Sequence, residues 1–247
     1  MRIVMKVDVS FTVDELQYHG KNDKIGVVID VLRATTTVVT AFKNGCASFT
    51  PITSLEKARE VAKSYEEGEV LLGGAKKGVR PEGFDLGNAP DDYSTEVVKG
   101  KNIIFTSSNG TKAMYGLQNT KEVLIASFLN ISAVCKEIAS LATDILIACS
   151  GDFGLFSLGD TVCAGMIIHK LGEMRAAVLE RSDTASVAET LYKIHQDDIP
   201  NMLFNSEWGQ YLIGIGQGKD IDTCAQIDIC TVVPRFRDGV IYLKRQD

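Results

Sequence analysis

The sequence predicts an α/β protein, a mixed, largely parallel sheet with helical layers and a C-terminal part that is mostly helical. Three observations predict it. Apolar runs rich in Val and Ile recur at residues 25–29, 103–106, 123–126 and 145–149, short enough for strands and continuous enough for strands buried on both faces. Each run ends in small polar or glycine residues and is followed by a helix-period pattern, the alternation that builds parallel strands with crossover helices. From residue 160 onward, helical patterns follow one another with few strands between them.

Taken in order, residues 1–7 alternate like a strand. The run at 25–29 ends at Asp30, and Thr35, Thr36 and Thr37 are expected to supply N-cap hydroxyls for a helix that Asn44-Gly45 stops. A strand at 47–50 precedes a helix whose start fits a capping box of Thr53 with Glu56, with Leu55, Ala58, Val61, Ala62 and Tyr65 in helical spacing. The strand at 70–72 ends in Gly73-Gly74 and opens a Gly/Pro-rich connection that runs to about residue 92. Asn130 caps a helix through Leu141, Asp160 begins another, Asp183 caps a third, and residues 207–215 form a fourth. Residues 231–234 and 240–243 fit a hairpin around Arg237-Asp238-Gly239. No Pro/Gly/Ser-rich linker isolates the helical end, so residues 1–247 are expected to form a single compact α/β domain, with a bilobed outline left open.

Composition excludes several functions. A net charge of −6 argues against a nucleic-acid partner, which demands basic stripes. No apolar run reaches the roughly 18 residues of a membrane span, and the N-terminus lacks the apolar core and cleavage site of a signal peptide. The six cysteines form no C-x-x-C pair and His19, His169 and His195 stand far apart, so zinc has no ligand pattern. Reduced thiols in a cytoplasmic protein are the expectation. A small anionic partner remains open, since local cations or a metal override net charge. So does assembly into a homo-oligomer.

The strand ends carry the chemistry. Asp30 and Arg33 bring an acid suited to a hard metal and a guanidinium suited to a planar anion to the crevice where α/β proteins bind ligands. A structural ion pair is the alternative for these two residues. Ser107, Ser108, Asn109, Gly110, Thr111 and Lys112 run into a helix and would cradle an anion on free amides, or simply cap the helix. It is not a Walker A loop. The long connection 74–90 offers Lys76, Lys77 and Arg80 to an acidic substrate and Asp85 and Asn88 as orienting groups, with a solvated basic loop as the alternative. Asp152 and Asp160 flank an apolar plug, Phe153 to Leu158; Asp160 is either a first-turn helix acid or a magnesium-type ligand meeting Asp30. Gly214-Ile215-Gly216-Gln217-Gly218 lacks the spacing of a dinucleotide loop.

Together Asp30-Val31-Leu32-Arg33-Ala34-Thr35, Gly83-Phe84-Asp85-Leu86-Gly87-Asn88 with Pro90, Asn109-Gly110-Thr111-Lys112-Ala113, and Asp160 before Ala164-Gly165 resemble the 2-phosphosulfolactate phosphatases of coenzyme M biosynthesis. The resemblance extends through Asp228 and Val233-Pro234, and so over nearly the whole chain. It implies a magnesium-dependent phosphatase that hydrolyses 2-phosphosulfolactate to sulfolactate and phosphate. On that reading Asp30 and Asp160 hold the metal or activate water, and Arg33 with Ser108, Asn109, Gly110 and Thr111 cradles phosphate. Lys76 or Arg80 takes the carboxylate or sulfonate, with Asp85 and Asn88 beside them. The chain departs from the pattern at Ala75 and Gly159, where acids are expected. A phosphatase for another small phospho-acid, and a weakened anion-binding homologue, are the alternatives.

Overall fold

The computed structural model describes residues 4–107, 109–174 and 177–244. Among these, ten strands form one sheet: β1 (Val4–Ser10), β2 (Ile25–Ile29), β3 (Ser48–Ile52), β4 (Val70–Gly74), β5 (Asn102–Thr106), β6 (Glu122–Ala126), β7 (Ile145–Cys149), β8 (Val178–Arg181), β9 (Arg235–Arg237) and β10 (Val240–Tyr242). Their spatial order is β4-β5-β3-β10-β9-β6-β2-β7-β1-β8. Pairing is parallel within β4-β5-β3 and within β6-β2-β7-β1-β8. The β9–β10 hairpin joins these blocks through antiparallel contacts with β6 and β3.

The hairpin lies later than the sequence suggested. Asp238 (φ 51°) and Gly239 (φ 81°) both take the left-handed conformation, a two-residue turn that places Arg237 opposite Val240. The first strand is therefore Arg235–Arg237, and residues 231–234 precede it as irregular chain.

The two blocks run in opposite senses, yet their carboxyl ends converge. Strand twist of roughly 20–25° per step turns the sheet through roughly 100–125° over the five steps from β5 to β2, which largely undoes the reversal. The sheet thereby curls around α1 (Ala34–Lys43): Phe49 and Phe105 of one block share a core with Val28 and Ile125 of the other and with Val38 and Val39 of the helix. Every residue from Ala34 to Phe42 is buried.

Threonine in so dry a helix needs acceptors, and each hydroxyl has one. Thr35, Thr36, Thr37 and Thr40 donate to the carbonyls of Asp30, Val31, Asn88 and Thr36 at 2.8–3.0 Å. They are not N-caps. Arg33 holds the cap position without a side-chain bond, and the carboxylate of Asp30 accepts the Ala34 N–H at 3.1 Å.

The remaining helices are α2 (Leu55–Ala62), α3 (Thr95–Val98), α4 (Gly110–Gly116), α5 (Ile131–Leu141), α6 (Leu158–Met174), α7 (Asp183–His195), α8 (Ile199–Asn205), α9 (Glu207–Gly214) and α10 (Asp220–Cys224). The cap of α2 is Ser54, which accepts from Lys57 N, and not Thr53. Likewise Ser182 caps α7 ahead of Asp183. Helices α5, α6 and α7 cover the other face of β1, β2, β6 and β7 in a second core. All six cysteines are free, five of them buried. Among the described residues no helix is long and apolar enough to cross a membrane.

Candidate active site

A cleft of about 310 Å³ opens where the ends of β2, β4, β5 and β7 meet. Asp30, one residue beyond β2, and Asp152, three beyond β7, both line it. Burial pushes the Asp30 carboxyl up to about 6, against the pull of the Ala34 and Gly110 amides. Burial, reinforced by the charges of Asp30 and Glu207, pushes Asp152 up to about 7. Asp160, in the first turn of α6, stands behind them. Its two oxygens accept Val31 N at 2.8 Å and Gly151 N at 3.2 Å, tying the end of β2 to the end of β7. Burial first, then Asp30 and Asp152, raise its carboxyl well above the usual range. Among the described residues no protein cation forms an ion pair with any of the three acids.

The opposite wall is cationic. Lys76 and Val79 exchange backbone hydrogen bonds around Lys77 (φ 49°) and Gly78 (φ 76°), a tight hairpin tip that sets Lys76 and Lys77 on the cleft. This tip leans on α9: Tyr211 donates its hydroxyl to the Lys77 carbonyl at 3.1 Å, and a Cβ on Gly78 would lie 2.7 Å from Ile215. A second tip, Asp152 to Leu155, has the same backbone pattern with Phe153 (φ 52°) and Gly154 (φ 81°) at its turn. Phe153 packs edge-on against Trp208 and Tyr211 of α9.

Arg33 lies between the walls. Its guanidinium is buried in an ion pair with Asp220, donates to Gln217 Oε1 at 3.1 Å, and donates to the Gly78 carbonyl at 2.5 Å. Of its five N–H groups, Nε–H and one on Nη2 have no partner among these contacts. Asp30 and Arg33 are therefore not an ion pair; Arg33 is balanced by Asp220. Asn109 donates to the Gly151 carbonyl at 2.8 Å, Ser107 Oγ accepts Thr111 N at 3.0 Å, and Asn88 is buried with an unpartnered Oδ1.

Of the residues the sequence singled out, Asp30, Arg33, Lys76, Lys77, Asn88, Ser107, Asn109 and Asp152 line the cleft. Gly110 and Thr111 sit immediately behind it, at the start of α4 and buried. Ser108 lies outside the described residues. Arg80 and Asp85 do not line the cleft. Asp85 Oδ2 accepts Leu72 N at 2.8 Å and Arg80 donates to the Asp85 carbonyl at 3.1 Å, so both brace the connection after β4. The role of Asp152 as a cleft acid and the place of Trp208 on the cleft are what sequence reasoning missed. The one available signal was Gly151-Asp152-Phe153-Gly154, a two-glycine turn directly after a buried strand.

A larger depression of about 690 Å³ lies between the end of α4 and the β9–β10 hairpin. Its buried Arg235 is already committed to Glu122 and Glu137. The smaller cleft is where the chemistry gathers.

Among the described residues no group of three or more His, Cys, Asp or Glu side chains is arranged around a metal. Magnesium makes a lighter demand, usually one or two carboxylates with the rest from water and substrate oxygens. Asp30, Asp152 and the orphaned Asn88 Oδ1 are hard oxygen donors on one cleft, so the residues present fit that ion.

A family model described as 2-phosphosulpholactate phosphatase matches residues 10–239. The chain is 37% identical over 237 residues to a probable 2-phosphosulfolactate phosphatase of Clostridium acetobutylicum, covering 96% of this chain and 100% of that protein. It is 40% identical over 220 residues to a protein of the same description from Symbiobacterium thermophilum, covering 89% and 94%. A third, from Clostridium tetani, is 35% identical over 239 residues, covering 96% and 100%. These likenesses define a phosphatase, a phosphoric monoester hydrolase. The chain belongs to the 2-phosphosulfolactate phosphatase family.

Proposed function

We propose that this enzyme hydrolyses 2-phosphosulfolactate to sulfolactate and phosphate with magnesium, as a step of coenzyme M biosynthesis. One observation carries the reading: two acids with raised pKa and no pairing cation face two lysines across a single cleft. Such a site suits a substrate with several negative charges and a divalent cation between it and the acids. The family likeness supplies the substrate. The free, buried thiols support a reducing, cytoplasmic setting.

Asp30 and Asn88 Oδ1 would hold magnesium, which when bound supplies Lewis-acid neutralisation of the phosphoryl oxygens. Asp152, held near 7, suits the task of taking the proton from an attacking water at neutral pH. Asp160 acts as a positioning residue, because its two amide contacts fix the chain bearing Asp30 and Asp152. The free N–H groups of Arg33 would receive phosphoryl oxygens. Lys76 and Lys77 would take the anionic groups that do not react.

The test is phosphate release from 2-phosphosulfolactate by the purified chain. Release that requires magnesium and stops with EDTA supports the reading; absence of release at saturating magnesium overturns it.

A further inference from the structure

Trp208, the sole tryptophan of the chain, stands at the start of α9 with its ring held from two sides. Phe153 meets it edge-on at 4.8 Å between ring centroids, and Tyr211 stacks on it at 4.7 Å with planes 17° apart. The ring lines the active-site cleft, yet its Nε1 is shielded from solvent and meets no acceptor. An indole nitrogen only donates, and a buried donor left unpaired is costly, so an acceptor oxygen that reached it would relieve that cost. The same helix supports the lysine tip through the Tyr211 to Lys77 hydrogen bond. The indole and the lysine tip are therefore both supported by α9.

We propose that Trp208 is a specificity-determining residue whose Nε1–H donates to a sulfonate oxygen of the substrate. A sulfonate is acceptor-only and tetrahedral, with three oxygens for three donors: two ammonium groups and one indole. The lysines supply charge on mobile stems, whereas the clamped indole supplies direction, and direction separates a sulfonate from a hydrogen atom at the same place. The inference rests on the sulfonated substrate proposed above.

Two measurements test it. In Trp208→Phe, which keeps an aromatic ring and loses the N–H, KM for 2-phosphosulfolactate should rise about tenfold with kcat within about twofold. The preference over 2-phospholactate, read as the ratio of kcat/KM values, should fall about tenfold. An unchanged preference overturns the proposal. In the unmodified protein, Trp208 emission should shift saturably with 2-hydroxyethanesulfonate and show no such response to lactate. An absent response, or an equal one to both, also overturns it. Should the enzyme release no phosphate from 2-phosphosulfolactate, the substrate reading falls, and the emission titration alone still decides whether Trp208 receives a sulfonate.

Discussion

A methyl group on Gly110 would lie 2.8 Å from Asp30 Oδ2 and 3.0 Å from the Ala34 Cβ, so the first residue of α4 is pressed against the central acid of the cleft. The contact joins the end of β5 to the end of β2, strands that lie five places apart in the sheet. Glycine is needed here for space, because only a missing Cβ lets the α4 amide reach the carboxylate. Gly110→Ala should displace one or the other, lowering kcat/KM at least tenfold and stability by about 1–2 kcal/mol. Steady-state kinetics and a denaturant midpoint check it. A fully active Ala variant would show that the approach of these two residues is incidental.

Arg33 serves three partners at once: Asp220, Gln217 and the Gly78 carbonyl. One ammonium group does not span that set. Arg33→Lys should therefore lose about 10²-fold in turnover, since the lysine tip is released and the guanidinium's free N–H groups vanish. Stability should fall by about 1–2 kcal/mol, because the buried Asp220 keeps only a partial partner. Parental kinetics in this variant would remove Arg33 from phosphate binding.

Asp228 gives a pH prediction away from the cleft. Burial alone would raise its carboxyl, but Lys170 and the Ser132 hydroxyl and amide outweigh burial and hold it below the ordinary value. A depressed folded pKa contributes stability above the unfolded value, near 4, and that contribution is lost as pH falls through the folded one. Asp228→Asn should cost about 1 kcal/mol at pH 7, a figure reduced by its partial exposure, and the gap to the parent should close below about pH 4. Urea midpoints across pH 3–7 measure it. A gap independent of pH would place the effect outside this ion pair.

Ala75 and Gly159, where the resemblance implies acids, are structurally unequal. Ala75 lines the cleft and already carries a Cβ. Ala75→Glu should therefore add an oxygen donor and lower the magnesium concentration for half-maximal activity several-fold. Gly159 is helical, in the first turn of α6, and a Cβ there would meet Leu203 at 2.8 Å. Gly159→Glu should destabilise by about 1–3 kcal/mol through overpacking alone. A magnesium titration of each variant beside its thermal melt separates the two cases. An unchanged magnesium requirement in a stable Ala75→Glu would show that position 75 does not reach the metal.

Much of this architecture is written locally. The β2–α1 unit, β7 and the parallel character of the sheet follow from short apolar runs and turn residues that lie within about ten positions of one another. Asp30, Arg33, Lys76, Asn88 and Asn109 were recognisable because they sit at strand ends or in a long polar connection. What was not readable depends on distant chain. The partner of Arg33 is Asp220, 187 residues away, and the place of the β9–β10 hairpin as the seam of the sheet is set by its pairing with the distant β3 and β6. Helices α3, α8 and α10 and strand β8 are four to seven residues long and escaped for the same reason. Asp160 and Asp152 look alike in sequence. Only the capture of both Asp160 oxygens by the amides of Val31 and Gly151 assigns one acid to the scaffold and the other to the cleft.

That assignment is the centre of the account, and turnover of 2-phosphosulfolactate by Asp152→Asn at saturating magnesium tests it most directly. The substitution keeps the volume of the side chain and removes its capacity to take a proton near neutral pH. Turnover should fall at least 10²-fold, with the thermal midpoint unchanged or raised because a half-buried carboxylate without a pairing cation has been neutralised. Turnover within about threefold of the parent, in a folded variant, would contradict it.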